Sequence, residues 1–454
     1  MTTDELVSLI AADLRLPKTT IRRLLTELAK AAISETKKNG AFLLPGLGKL
    51  LLAQRRARTG RNPQVGEPIK IPARKIVRFR VDKGFQDQMQ GRFIETMKFA
   101  GDEAVEIASY VSERPSASEQ PPRGQTADFW IIKIFYATDR QPTSQDPLRF
   151  GSRRSSPEQL HVGTCEVSIP RDHRMAKIER PTIWRLYREN PKKHFVIREI
   201  TAKDDDSFFS ELAQCVKGSK KNDAFVFIHG FKVAFNDAVY RTAQIAHDLG
   251  FLGAPILYSW PSNGELYEYP GDINNTDWTV DHLRTFLEQL ASRSGAQVIH
   301  LIAHSMGNRA LANALSLLDS VGPTSPPRFN EIILTAPDVD AGTFKHLAAA
   351  IQANGKRVTL YCSKRDRALM ASKRINGSYP RAGDCSSTVV VIPGIDTIDA
   401  SAVDTNLIGH FYYAENRSVL SDIFNLLKYG EPADGRFGIL SDDVPPPTHW
   451  KFAP

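Results

Sequence analysis

Ser305 stands in Ala303-His304-Ser305-Met306-Gly307, preceded by the apolar run Val298-Ile299-His300-Leu301-Ile302 and followed by a helix-forming stretch from Asn308 to Leu318. A strand, a sharp turn with serine at its apex and a helix together present a hydroxyl for nucleophilic attack on a carbonyl. Small residues flank the serine because the turn brings strand and helix backbones close. Ala303 occupies the less demanding of the two small positions. Such a serine needs a histidine base and a carboxylate to orient it, following along the chain in the order serine, acid, histidine. Only His346, His410 and His449 follow Ser305. His346 falls inside a helix-like stretch, Phe344 to Ile351, and His449 follows Pro445-Pro446-Pro447-Thr448. His410 comes by a loop after the strand-like run Thr388 to Ile392 and before a helix from Ser418 to Leu427, which makes it the expected base. Asp366, just after the run Val358 to Ser363, is the expected acid, with Asp338 or Asp340, one strand earlier, as the alternative. Backbone N–H groups of Met306 and of Phe231, in the turn after His229-Gly230, are the expected oxyanion donors. His229 and His304 are read as structural.

The elements that must position these groups alternate. Ala224 to Ile228 is a continuous apolar run with the composition of a buried parallel strand, and a helix from Asn236 to Leu249 follows. Further strands are expected at Ile256 to Trp260, Val298 to Ile302, Ile332 to Thr335 and Val358 to Tyr361, with helical patterns between them. That order predicts a mostly parallel, doubly wound α/β sheet.

Charge divides the chain. Residues 1–90 hold 18 Lys and Arg against 8 Asp and Glu, whereas residues 91–454 hold 41 against 43. A basic module on a near-neutral protein points to a polyanion, and nucleic acid first. Within it, a short amphipathic helix carrying Leu6, Ile10 and Leu14 precedes a longer one carrying Ile21, Leu24, Leu25, Leu28 and Ile33, closed by Asn39-Gly40. Short strands are expected at Ala41 to Leu44, Lys49 to Gln54 and Ile76 to Arg80, with residues 55–74 forming a basic arm. Arg55, Arg56, Arg58, Arg61, Lys70, Arg74 and Lys75 would neutralise phosphates.

The segments Leu44-Pro45-Gly46-Leu47-Gly48-Lys49, Ala57 to Glu67 and Ile69-Lys70-Ile71-Pro72-Ala73 closely resemble the HU/IHF family of bacterial nucleoid proteins over roughly residues 1–90. The resemblance implies an α+β, intertwined homodimer that binds the DNA minor groove with low sequence specificity. Pro63 would be its intercalating residue, with Arg61 and Asn62 as minor-groove neighbours. Leu47 stands where the family usually has Phe.

Residues of about 129–430 resemble a bacterial α/β-hydrolase family of unknown function. The motifs are Phe135-Tyr136-Ala137-Thr138-Asp139-Arg140, Phe227-Ile228-His229-Gly230-Phe231, Tyr258-Ser259-Trp260-Pro261-Ser262, Ala303 to Arg309 and His410-Phe411-Tyr412-Tyr413. This resemblance implies Ser305, Asp366 and His410 as the triad of an esterase-like enzyme acting on a small acyl substrate. The other reading is a nucleoid-associated DNA-binding protein whose hydrolase fold is an inactive dimerisation or docking module.

The expected organisation is a DNA-binding domain over 1–95, a linker over 96–127, a hydrolase domain over 128–432 and a tail over 433–454. Cys165, Cys215, Cys362 and Cys385 form no CxxC pair and are read as free thiols in a reducing compartment, without a metal site. No cofactor is called for. The chain holds no long apolar run, so the expectation is a cytoplasmic, nucleoid-associated protein with no membrane partner.

Overall fold

A computed structural model describes residues 18–39, 41–44, 48–55, 58–61, 68–71, 74–81, 123–125, 128–181, 189–263, 268–318, 327–387, 389–403, 412–441 and 449–453. The chain divides into two compact units, Met1–Glu113 and Arg114–Pro454.

In the first unit, helix α1 (Lys18–Asn39) precedes strands β1 (Ala41–Leu44), β2 (Gly48–Arg55), β3 (Arg58–Arg61), β4 (Pro68–Ile71) and β5 (Arg74–Val81). Strand β2 pairs antiparallel with both β1 and β5, and β3 pairs with β4. The pairs Arg55↔Arg74 and Arg58↔Ile71 have the same sum of residue numbers, so the β2–β5 and β3–β4 pairings share one register. Ile21, Ala32 and Thr36 of α1 are buried, while Leu28 and Ile33 are exposed. The first expected helix, carrying Leu6, Ile10 and Leu14, and the residues Leu24, Leu47, Arg56, Asn62 and Pro63 lie outside what the structure describes, the side chain in the case of Leu24.

The second unit opens with β6 (Arg123–Gln125), β7 (Phe129–Thr138), β8 (Arg140–Gln145), β9 (Leu148–Arg154), β10 (His161–Pro170) and β11 (Val196–Lys203). Then α2 (Asp205–Lys217), β12 (Asp223–Ile228), α3 (Phe235–Asp248), β13 (Ala254–Ser259), α4 (Tyr269–Trp278), α5 (Val280–Arg293), β14 (Val298–His304) and α6 (Gly307–Ser316) alternate. Strand β15 (Phe329–Thr335), α7 (Ala341–Asn354), β16 (Gly355–Cys362), α8 (Arg367–Ile375), β17 (Ile395–Asp399), α9 (Tyr412–Glu415), α10 (Arg417–Tyr429), β18 (Ile439–Ser441) and β19 (Trp450–Phe452) complete it.

The sheet runs β11-β10-β7-β13-β12-β14-β15-β16-β17-β19-β18, with β6 beside β7. From β7 to β19 every neighbouring pair is parallel. Two apolar layers cover it because alternate strand residues face opposite sides. Ala224, Val226 and Ile228 join the layer holding α5, α6 and α7, while Phe225 and Phe227 join that of α3 and α10. This is the expected doubly wound α/β-hydrolase architecture. The segment read as a tail also contributes, since β18 and β19 extend the sheet.

Two expectations are corrected. Among the described residues the strand before His410 is Ile395–Asp399, and Val389 to Ile392 of the expected run Thr388 to Ile392 form none. The earlier run is apolar enough for a strand, but Pro393 and Gly394, the latter at φ +84°, turn the chain so that only the later residues meet β16 in register. Cys362 and Cys385 are joined as a disulfide, leaving Cys165 and Cys215 free. The loop after α8 folds back so that Ser363 N donates to Gly383 O at 3.0 Å, which brings the two Cα atoms to 5.8 Å. With that pair joined, the cysteines no longer argue for a reducing compartment. Among the described residues no helix is long and apolar enough to cross a membrane.

Glu331 of β15 is buried opposite Arg357 of β16, their charged atoms 3.8 Å apart. Burial pushes its carboxyl from 4.5 up to about 7, against the opposing pull of Arg357 and Arg436. Because the fold favours the protonated form, this contribution is full below pH 4.5 and is lost as pH rises towards 7. Denaturant titrations across that window should show the hydrolase unit losing up to about 3 kcal/mol relative to Glu331→Gln, in which the slope flattens.

Candidate active site

Strand β12 lies between β13 and β14, so the winding direction reverses there, and the carboxyl ends of β12 and β14 form the switch point at which ligands bind in open α/β sheets. Both motifs singled out in the sequence end at this point. Ile228 and Ala303 are register partners, which sets the turn His229-Gly230-Phe231 beside Ser305.

Ser305 has φ +52°, a left-handed conformation that costs a non-glycine residue about 1 kcal/mol or more. Its surroundings hold it there. Ser305 N donates to Thr335 O at 2.9 Å, while Ser305 O accepts from Asp338 N at 3.1 Å and from Asn308 N and Nδ2 at 3.1 and 3.0 Å. A Cβ on Gly307 would stand 2.4 Å from His229 O, and one on Gly230 would stand 2.8 Å from Ser305 Cβ. The two glycines thus let the turns touch backbone to backbone. Ala303 is fully buried, so its methyl is tolerated where the first glycine is often found. Met306 occupies the N-cap position of α6, where the helix dipole favours negative charge.

The facing turn is held by Arg140, a fully buried cation at the start of β8. Its Nε donates to Ser259 Oγ at 2.9 Å, and Nη1 donates to the carbonyls of Gly151 and Ser262 at 3.0 and 3.1 Å. Nη2 donates to Val233 O at 2.8 Å and to His229 Nε2 at 3.2 Å. Burial lowers Arg140 to about 10, with Asp139, Asp272 and Asp237 opposing, so it stays charged at neutral pH. Burial and then Arg140 lower His229 to about 3, which keeps that ring neutral. Since Arg140 donates to Nε2, Nδ1 carries the proton and donates to Gly230 O at 2.9 Å. Trp260 stacks on His229 at 5.0 Å, and its Nε1 donates to His229 O at 2.7 Å. His229 is therefore a brace for the turn, as the sequence suggested. Arg140 was named there only as the last residue of the motif Phe135-Tyr136-Ala137-Thr138-Asp139-Arg140, with no role attached.

Asp366 follows β16, is buried and caps α8, its Oδ1 accepting from Leu369 N at 3.0 Å. Asp338 is committed elsewhere. It accepts from Tyr269 Oη at 2.8 Å and Ser372 Oγ at 2.5 Å and lies 3.4 Å from Arg381 Nε. Asp340 caps α7 through Thr343 N at 2.8 Å. His346 lies exposed on α7, and His449 leads into β19. His410 lies outside the described residues, but Tyr413 of α9, three positions on, stacks on His304 with ring centres 4.4 Å apart. His304 is thus a packing residue, and the chain just beyond His410 lies against the residue next to Ser305. Of the basic positions, Arg55 falls in β2, Arg58 and Arg61 in β3, Lys70 in β4, and Arg74 and Lys75 in β5.

Residues 204–427 match the family model described as an alpha/beta hydrolase of unknown function (DUF900), and residues 1–90 match that of bacterial DNA-binding protein. Over 87 residues the chain is 39% identical to DNA-binding protein HU-beta of Pseudomonas aeruginosa, covering 19% of this chain and 97% of that protein. For HU-beta of Serratia marcescens the identity is 37% with the same shares. Among solved structures, an Anabaena HU–DNA cocrystal is 29% identical over 20% of this chain and 97% of that one, with a TM-score of 0.19. A cold-adapted esterase from an Arctic intertidal metagenomic library is 10% identical over 68% of this chain and 99% of that one, with a TM-score of 0.32. The chain belongs to the HU family of bacterial DNA-binding proteins through its first 90 residues and carries, after them, the alpha/beta hydrolase domain of unknown function DUF900.

Proposed function

We propose that the second unit is a serine hydrolase acting on carboxylic esters or related acyl bonds. The observation that carries this reading is the left-handed Ser305, set at the switch point of the sheet with the Gly230 turn packed against it. In this mechanism Ser305 Oγ attacks the acyl carbon while His410 takes its proton. The tetrahedral oxyanion is bound by the N–H groups of Met306 and Phe231, and His410 returns the proton to the leaving group. Water then attacks the acyl-enzyme by the same route. Asp366 orients His410. Its position after β16 supports this role, and the engagement of Asp338 by Tyr269, Ser372 and Arg381 argues against the alternative.

The first unit, on this reading, binds DNA through the β3–β4 ribbon and its tip, with Pro63 as the wedge and Arg61 and Asn62 beside it. Family membership and the +10 charge of residues 1–90 support it. Exposed Leu28 and Ile33 on α1 support a homodimer, since a second copy would cover them.

A fluorophosphonate probe should label the wild type once per chain and leave Ser305→Ala unlabelled, equal labelling of both being incompatible with this nucleophile. On p-nitrophenyl esters, His410→Ala should lower kcat by about 10⁴- to 10⁶-fold and Asp366→Asn by about 10⁴-fold, with a smaller loss in Asp338→Asn. Arg140→Lys keeps the charge but not the fork of donors. It should destabilise the unit by about 1–3 kcal/mol per carbonyl left unpaired and lower kcat by about 10²-fold as the turn at Phe231 loosens. Affinity for nicked or bent duplex should fall as salt rises, and Arg58→Ala or Lys70→Ala should each reduce the slope of log K against log salt by about 1. A slope near zero would leave the ribbon without its phosphate contacts.

A further inference from the structure

The carboxyl end of α3, about 20 Å along that helix from the Phe231 turn, gathers titratable side chains that the hydrolase mechanism does not use. His247 and Asp248 end the helix, and His173 comes from the turn after β10. One atom from each of the three lies within 4.8 Å of the others. Asp248 Oδ1 is 2.8 Å from His173 Nε2 and 3.6 Å from His247 Nδ1. A tetrahedral cation with bonds of about 2.0–2.1 Å separates its ligand atoms by about 3.4 Å, so only the shorter of these distances must open, by about half an ångström.

The outer contacts are those of a metal centre. His173 Nδ1 donates to Glu179 Oε2 at 2.7 Å, and Glu179 Oε1 accepts from Arg174 N at 3.0 Å, an arrangement that turns Nε2 inward. The other oxygen of Asp248, Oδ2, accepts from Ala176 N at 2.7 Å and Gln244 Nε2 at 2.6 Å, which aims Oδ1 at the two rings. The side chains of His173 and Asp248 are nearly fully buried and that of His247 is one-fifth exposed, although its Nδ1 is buried. A cation here also meets the negative end of the α3 dipole. Two imidazoles and one carboxylate suit zinc, with a water as fourth ligand, and not calcium or magnesium, which take oxygen ligands.

We infer that His173, His247 and Asp248 form a binding site for a zinc-class divalent cation, with Glu179 as the outer partner of His173. Uptake displaces the proton on His173 Nε2, so it releases acid. The cation would fasten the loop from His173 to Glu179 onto α3. Gln244 Nε2 also donates to Ala414 O at 2.9 Å, which links the site to α9.

The test uses the full chain, stripped with a chelator and dialysed against zinc chloride, with bound metal measured by elemental analysis. About one zinc per chain is expected. His247→Gln leaves every hydrogen bond of His173 in place and should weaken binding by at least 100-fold, and Glu179→Gln by about 10- to 100-fold. Zinc should raise the Tm of the wild type but not of His247→Gln. Cobalt in place of zinc should give a visible ligand-field spectrum without thiolate charge transfer, because no cysteine takes part. No uptake by the wild type, or equal uptake by a folded His247→Gln, would mean that His173 bridges its two carboxylates as an imidazolium and that the site is no metal centre.

Discussion

A single buried cation holds three separate segments together beside Ser305. Removing a guanidinium from water costs several kcal/mol, and the cost is offset only if every donor finds a partner. Arg140 finds five, and they come from the β9 strand, the turn after β12, and the end of β13 with the segment that follows it. Removing any of these segments would strand a buried charge, so they are fixed together. The neutral state of His229 follows first from its burial and then from Arg140, beside which a second positive charge is disfavoured. That neutrality in turn leaves Nδ1–H to hold the Gly230 carbonyl. The position of the candidate oxyanion donor at Phe231 thus depends on a residue that never faces the substrate.

Close packing does the rest. Gly307 against His229 O and Gly230 against Ser305 Cβ are contacts that no side chain could occupy without moving backbone. They join two turns whose parent strands are neighbours only because the sheet reverses its winding at β12. Strand order therefore decides which loops meet, and glycine decides how closely.

Much of this was legible in the residues because it is local. The strand, turn and helix around Ser305 lie within about twenty positions, and the basic ribbon is encoded by one contiguous stretch. What escaped is long-range. The acceptors of Arg140 lie at residues 151, 229, 233, 259 and 262, three of the five being backbone carbonyls with no signature in residue type. The Cys362–Cys385 pairing needs a loop return that spacing does not reveal. Thr388 to Ile392 misled because β propensity reports what a segment can do, whereas the turn at Gly394 determines which residues reach the sheet. His173 and Asp248 are 75 residues apart and meet only through the crossing of α3 over β10.

The uniform register of the β2–β5 and β3–β4 pairs carries an evolutionary constraint. Partner numbers along β2–β5 and β3–β4 move in lockstep from Gly48↔Val81 to Arg61↔Pro68. Losing one residue from either side would shift every later pair and exchange the two faces. Length variation in this lineage should therefore occur as matched insertions or deletions in both strands, or be confined to residues 62–67, between β3 and β4 in the chain. A relative whose ribbon is one residue longer on a single side would have to absorb it as a bulge, and its twist would change with it.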